Sequence, residues 1–216
     1  MESNKNFETY LSVDNKKFIF CVIQKDNFEI LYIKEKIIDN NLNEINFEKL
    51  FNFIEENIFS IEKFLNDFLK DINIILESDK FLSLEISTKK NNNGNSITLN
   101  KLSHPLKDLR DQCKQTLQEK KIVHMLITNY NIDNTNYLSF PGNMNCENFS
   151  LDVKFICLSN DLIDNLKKTF SNYQISIKKI LSAEYLRSFQ NQTNDSNLFE
   201  LALKISSGCN KNEVFL

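Results

Sequence analysis

Histidine, cysteine and glycine, residues that catalytic, metal and phosphate sites draw on, are few and unpatterned here. His104 stands before Pro105 with no partner at ligand spacing. His124 lies in an apolar run, Ile122 to Tyr130, where a hydrogen-bonded structural role suits it better than catalysis. There is no H-x-x-x-H pair, no G-x-S-x-G elbow and no acidic pair in a recognisable frame. The five cysteines, Cys21, Cys113, Cys146, Cys157 and Cys209, are odd in number and include no C-x-x-C. They indicate neither a disulfide framework nor a zinc site, but buried reduced thiols. Phosphate binding by backbone amides needs glycine where a Cβ would block the approach. The chain has three glycines, Gly94, Gly142 and Gly208, from which no phosphate cradle can be assembled. The expectation is a binding module and not an enzyme.

Composition agrees with a folded protein. The 216 residues are 41% hydrophobic and 11% aromatic, enough for one large domain or two small ones with a real core. Net charge is -3 and the basic residues are scattered, so nucleic acid is not an expected partner. Asn, Lys, Ile and Phe are abundant, which makes any single Lys or Asn less informative. The first ten residues, MESNKNFETY, are polar and unlike a secretory signal, and no apolar run approaches the roughly 20 residues of a membrane span. A cytoplasmic location is expected.

The elements that must position any site are legible in part. Phe18–Ile23 and Phe28–Ile33 flank the turn-rich Gln24–Asn27 and read as a hairpin. Phe47, Leu50, Phe51, Ile54, Ile58, Ile61, Leu65 and Phe68 recur at helical spacing, predicting a long helix with a core-facing stripe. Phe81–Ser87 reads as a strand, with Ser96–Leu99 as its return. Ser103 and Pro105 mark a helix start, and Leu106, Leu109, Cys113 and Leu117 form its apolar face. Ile122–Tyr130 is a strand followed by a loop, Asn131 to Asn148. Phe149, Leu151, Val153, Phe155 and Cys157 alternate with polar residues as a further strand. Ser159 or Asn160 caps a helix through Phe170; Ile175–Leu181 is a strand, and a short helix ends near Phe189. Leu198–Ser207 fits helix or strand, and residues 209–216 show no clear element. Strands interleaved with amphipathic helices give an α/β (α+β) class, with helices on one face of a sheet.

From Lys121 to Phe189 the sequence resembles the insertion subdomain of FtsA, the actin-like bacterial cell-division family. Val123-His124 and Tyr130-Asn131-Ile132-Asp133 match its first strand motif, and Pro141-Gly142-Asn143-Met144-Asn145-Cys146 its Pro-x-Gly-Met loop. Phe149–Val153 matches the next strand, and Asn165-Leu166-Lys167-Lys168 the following helix. Ile180-Leu181-Ser182-Ala183 sits where the family returns to its actin-like body. Thr128 replaces a family proline, Cys146 a glycine, and Asn172-Tyr173 the glycine after the helix. Where the family carries its first glycine-rich phosphate loop, this chain has Val13-Asp14-Asn15-Lys16-Lys17; the Asp is kept and the Gly is gone.

The resemblance implies a partial actin-like (ribonuclease H-like) body, with a remnant first subdomain at 1–80, an inserted strand-helix-strand-strand subdomain at 81–181, and a truncated return at 182–216. It implies a non-catalytic divisome protein that has lost ATP binding, with Asp14 a degenerate cofactor position, and no catalytic or metal residues. His124, Tyr130, Asp133, Pro141, Gly142, Met144 and Asn165 are the family-motif and interaction residues. Partners would be divisome proteins or FtsA-like subunits, met by open sheet edges around Ile122 and Phe149. Membrane association would be indirect, at the cytoplasmic face of the inner membrane at the division site. The alternative is a scaffold of the PilM type, an FtsA relative in pilus and secretion assembly that binds a membrane-protein peptide.

Overall fold

Helix-forming and strand-forming stretches alternate along the chain, and the computed structural model describes residues 6–39, 44–193 and 197–214. In chain order the elements are β1 (Phe7–Val13), β2 (Lys17–Gln24), β3 (Ile30–Ile37), α1 (Phe47–Leu65), β4 (Asp71–Leu76), β5 (Leu82–Asn91), β6 (Ser96–Ile97) and α2 (Leu99–Thr116). They continue with β7 (Lys120–Ile132), β8 (Thr135–Tyr137), β9 (Met144–Asn145), β10 (Asn148–Ser159), α3 (Asn160–Ser171), β11 (Ser176–Ser182), α4 (Ala183–Thr193) and α5 (Leu198–Ser206). They form two compact units. The first comprises Met1–Asp79 with Asp161–Cys209, the second Lys80–Asn160 with Asn210–Leu216.

The first unit is built on a five-stranded sheet of order β11-β4-β1-β2-β3. Strands β1, β2 and β3 run antiparallel, while β4 lies parallel to both β1 and β11. The sequence reading found β2, β3 and β11 but passed over β1, the middle strand, and its neighbour β4. Residues 72–76 of β4 are all buried. A strand covered on both faces shows a continuous apolar run and no alternation to betray it. Helices cover both faces, not one as expected. On one side Phe53 of α1 stacks on Phe20 at 5.3 Å and 24°. On the other the ring of Tyr10 lies 6.4 Å from Phe199 of α5.

Helix α1 starts because the Asn46 side chain accepts a hydrogen bond from the Lys49 amide at 2.9 Å, with Glu48 in the first turn. It stops at Asn66, which takes the left-handed conformation (φ 50°) that ends a helix. Leu50, Phe53, Ile54, Ile58 and Ile61 face the core. Phe68, expected to continue the stripe, lies beyond the cap and is 73% exposed, because the helical period ends with the helix.

The second unit pairs β5-β10-β7-β8 antiparallel, with β6 and β9 as a separate small ladder. Helix α2 covers one face. It begins at Thr98, whose hydroxyl accepts from the Lys101 amide, and not at Ser103; Pro105 is therefore inside the helix. Leu102, Leu106, Leu109 and Cys113 of α2 share one core with Met125, Ile127, Phe149, Leu151, Val153 and Phe155 of the sheet. The expected insertion at 81–181 is corrected at its C-terminal boundary. Apart from Asn160, α3 belongs to the first unit, as does all of β11, because β11 pairs with β4. The expected polar loop from Gln190 to Asn197 is helical through Thr193, and residues 194–196 lie outside the described ones. Cys21, Cys113, Cys146 and Cys157 are buried thiols and Cys209 is exposed. Burial pushes the Cys21 and Cys157 thiols up to about 12.

Ile54 is fully buried. Truncation to Ala removes its transfer energy and leaves a cavity, so Ile54→Ala should lower stability by about 2–4 kcal/mol in a denaturant melt. Phe68→Ala should lie within about 0.5 kcal/mol of the parent, as solvent-facing substitutions do.

Candidate functional site

In an open sheet with parallel strands, ligands sit beyond the C-terminal ends of those strands. In the first unit that place lies after β1, β4 and β11, and its residues are Asp14, Glu77 and, one turn into α4, Arg187. The β1–β2 turn is closed on itself: the Asp14 amide donates to the Lys17 carbonyl at 3.1 Å, and the Asp14 carboxylate accepts from the Lys16 amide at 3.1 Å. Arg187 makes a bidentate pair with Glu77, at 2.8 Å from Nη1 and 2.5 Å from Nη2. The guanidinium holds the Glu77 carboxyl below the usual carboxylate range. Glu77, and to a lesser extent the charge of Asp14, raise Arg187 in turn. Two carboxylates thus stand where a phosphate would need donors, and the one arginine of this cluster is already paired.

The family-motif residues gather elsewhere, in the second unit. His124, on β7, is buried, with Nδ1 2.7 Å from Oε1 of Glu213. Tyr130, also on β7, is buried, and burial pushes its hydroxyl up; its ring lies 5.9 Å from Phe140, and its hydroxyl donates to Asn212 Oδ1 at 3.4 Å. Asp133 holds the turn after β7 at φ 46° and accepts from the amides of Glu147 (3.0 and 3.1 Å) and Asn148 (2.9 Å). It ties the return loop to the strand. Pro141 is exposed in that loop. Gly142 has φ +101°, where L side chains are strained, although a Cβ would meet nothing within 4 Å. Met144 pairs with Ile97 in the β6–β9 ladder and packs on the core. Asn165 does not join them. It is exposed on α3 in the first unit, and Asp14, half-buried on its own turn, also belongs to that unit.

The face of the second sheet opposite α2 is a polar lattice. Asp152 of β10 accepts from Ser87 of β5 at 2.5 Å and from Asn129 of β7 at 3.0 Å. Asn129 and Asn131 both donate to Asn136 of β8, at 3.2 and 2.7 Å, and Thr128 donates to Glu85. The edge expected to be open around Phe149 is corrected here. Strand β10 is paired on both sides, by β5 and β7, and so has no free edge. The outer edge of β7 is taken at 130–132 by β8 and around Leu126 by Glu213. The sequence reading missed Asn212, Glu213, Glu77 and Arg187. Reading Asp71–Leu76 as a strand would have pointed to Glu77, the residue after it; nothing in the pattern pointed to Glu213.

No protein-family model matches the sequence, and no curated protein does. Among solved structures, the chain is similar to PilM in a PilM–PilN type IV pilus biogenesis complex. The TM-score is 0.53 at 7% identity, over 87% of this chain and 50% of that one. The chain shares the fold of PilM. Likeness extends to an actin-like ATPase-fold protein of unknown function from Bacteroides thetaiotaomicron (15% identity, 87% and 57% covered, TM-score 0.40). It also extends to the cytoplasmic domain of EpsL, an inner-membrane component of the Vibrio cholerae type II secretion system (10%, 82% and 58%, 0.39). The chain spans 50 to 58% of the length of these solved chains. The mixed α/β class expected from the sequence stands, and with it the actin-like fold; FtsA in particular is not singled out.

The Asp133 carboxylate accepts from two backbone amides across an exposed turn, the Glu147 N–H being shared between its two oxygens, so Asp133→Ala should cost about 1–2 kcal/mol in a denaturant melt, less than a buried equivalent. Gly142→Val should destabilise more than Asn145→Ala, through backbone strain alone. Glu77 has a depressed folded-state pKa, so its contribution is present at neutral pH and is lost as pH falls below the ordinary carboxylate range. Arg187→Met should therefore lower stability by no more than about 1 kcal/mol at pH 7, the pair being half exposed. Melts of parent and variant should converge toward pH 3.

Proposed function

We propose that this chain is a non-catalytic assembly protein of actin-like fold that works through protein–protein contacts of its second unit, with no nucleotide switch. The observation that carries the reading is the self-occupied end of the first sheet. Asp14 spends its carboxylate on its own turn, and Glu77 occupies the arginine that would otherwise attract an anion. A nucleotide would have to displace both while facing their negative charge. In this reading His124, Tyr130, Asp133, Gly142 and Met144 shape the interacting unit and do not react.

Two settings suit such a protein. The sequence motifs favour a divisome role beside FtsA-like subunits at the cytoplasmic face of the inner membrane. The likeness to PilM, solved in complex with PilN, favours a pilus or secretion scaffold. Among the described residues no helix is long and apolar enough to cross a membrane.

Titration calorimetry with ATP and magnesium should give no saturable heat up to millimolar concentration, and micromolar binding would sink the closed-site reading. A fluorescent fusion in the native host tests the setting. Rings at mid-cell support the divisome role, envelope foci support the pilus or secretion role, and diffuse signal throughout growth refutes both.

A further inference from the structure

Residues 210–214 form no helix or strand of their own, yet they complete the β7 edge. The Val214 amide donates to the Met125 carbonyl at 2.8 Å, and the Ile127 amide donates to the Asn212 carbonyl at 2.9 Å, an antiparallel bridge centred on Leu126 and Glu213. Strand β8 covers β7 only at Tyr130–Ile132, so the stretch beside it is a short acceptor slot.

Three consecutive side chains read that slot with the two-residue alternation of a strand. Asn212 accepts from the Tyr130 hydroxyl at 3.4 Å and donates to the Leu138 carbonyl at 2.6 Å. Glu213 points the opposite way, to His124 at 2.7 Å, and the two side chains are 6% and 1% exposed. Val214 returns to Asn212's side and packs on the core of the second unit. The slot therefore selects an amide, an acid and an apolar residue in succession. Besides these side-chain contacts, the two backbone bonds of one bridge hold the segment, a small interface of the kind that opens without global unfolding.

We propose that the β7 edge from His124 to Tyr130 is a strand-acceptor site for a partner protein's extended segment carrying amide, acid and apolar residues in that order, and that Asn212–Val214 fills it as an internal stand-in. The inference rests on the reading that the second unit works by protein contacts, and it names the chemistry of the contact. Main-chain pairing supplies general affinity and the alternate side chains supply selectivity, as in other strand additions. The tether gives the internal segment a millimolar effective concentration, so a partner gains entry by a better match or once the segment is released.

The test uses the full chain and a fluorescein-labelled peptide with the sequence of residues 210–216. The variant E213G/V214G, with its own segment weakened, should bind the peptide at least tenfold more tightly than the parent does. A peptide with Gln at the acid position should bind that variant at least tenfold more weakly, and adding His124→Gln to the variant should erase the difference. Equal weak binding by parent and variant, or indifference to the acid, overturns the proposal. Should the variant fail to fold, amide exchange in the parent decides. An Ile127 amide exchanging well ahead of Phe155 on central β10 supports a segment that leaves its slot, and equal rates overturn it. A parent that forms dimers by exchanging residues 210–214 assigns the edge to a second copy and also overturns the proposal. Diffuse localisation with intact peptide binding would sink the assembly role and spare this site, and localised foci without peptide binding would do the reverse.

Discussion

Parallel pairing of β4 with β1 can be made only by a chain that crosses over a sheet face, and α1 is that crossover. Much of the first unit follows from it. The crossover buries one face of the sheet under Phe53 and Ile54. It places β4 in the interior of the sheet, where residues 72–76 are all buried, and brings the C-terminal ends of β1 and β4 side by side. Asp14 and Glu77 are neighbours for that reason, and Arg187 of α4 reaches them because β11 repeats the parallel pairing on the far side of β4. Between β4 and β11 the chain has to leave and return, and the second unit is the excursion.

What the sequence disclosed depended on how each element is buried. Strand β10 was plain because one face meets α2 and the other is polar, so Phe149, Leu151, Val153 and Phe155 alternate. Helix α1 was plain for the same reason at a different period. Strand β4 was missed because burial on both faces removes the alternation, and β1 because its polar residues are accounted for only in three dimensions. Glu8, for example, looks solvent-facing, yet its carboxylate accepts from Tyr10 at 2.8 Å and Asn73 at 3.1 Å. The start of α2 was misplaced by Pro105, a good first-turn residue that here sits mid-helix.

The candidate sites were legible to a different degree. The motif matches led to His124, Tyr130, Asp133 and Gly142, which all belong to the second unit, while Asn165 belongs to the first. The partners of those residues were invisible, since Asn212 and Glu213 lie more than eighty positions further along a polar stretch with no period. Spacing can show a helix face or a strand face. It cannot show which distant residue will arrive beside a buried histidine.

The parallel ladder between β4 and β11 joins Asp71 to Ser176, about a hundred residues apart, whereas the whole of the sheet from β5 to β10 lies within one stretch of some eighty residues. On a nascent chain emerging from the ribosome, the second unit's sheet can therefore close while β4 still has one edge bare. Its run Ile72–Leu76, apolar but for Asn73, waits for β11 to be made. That interval is set by the length of the excursion, not by the stability of either unit.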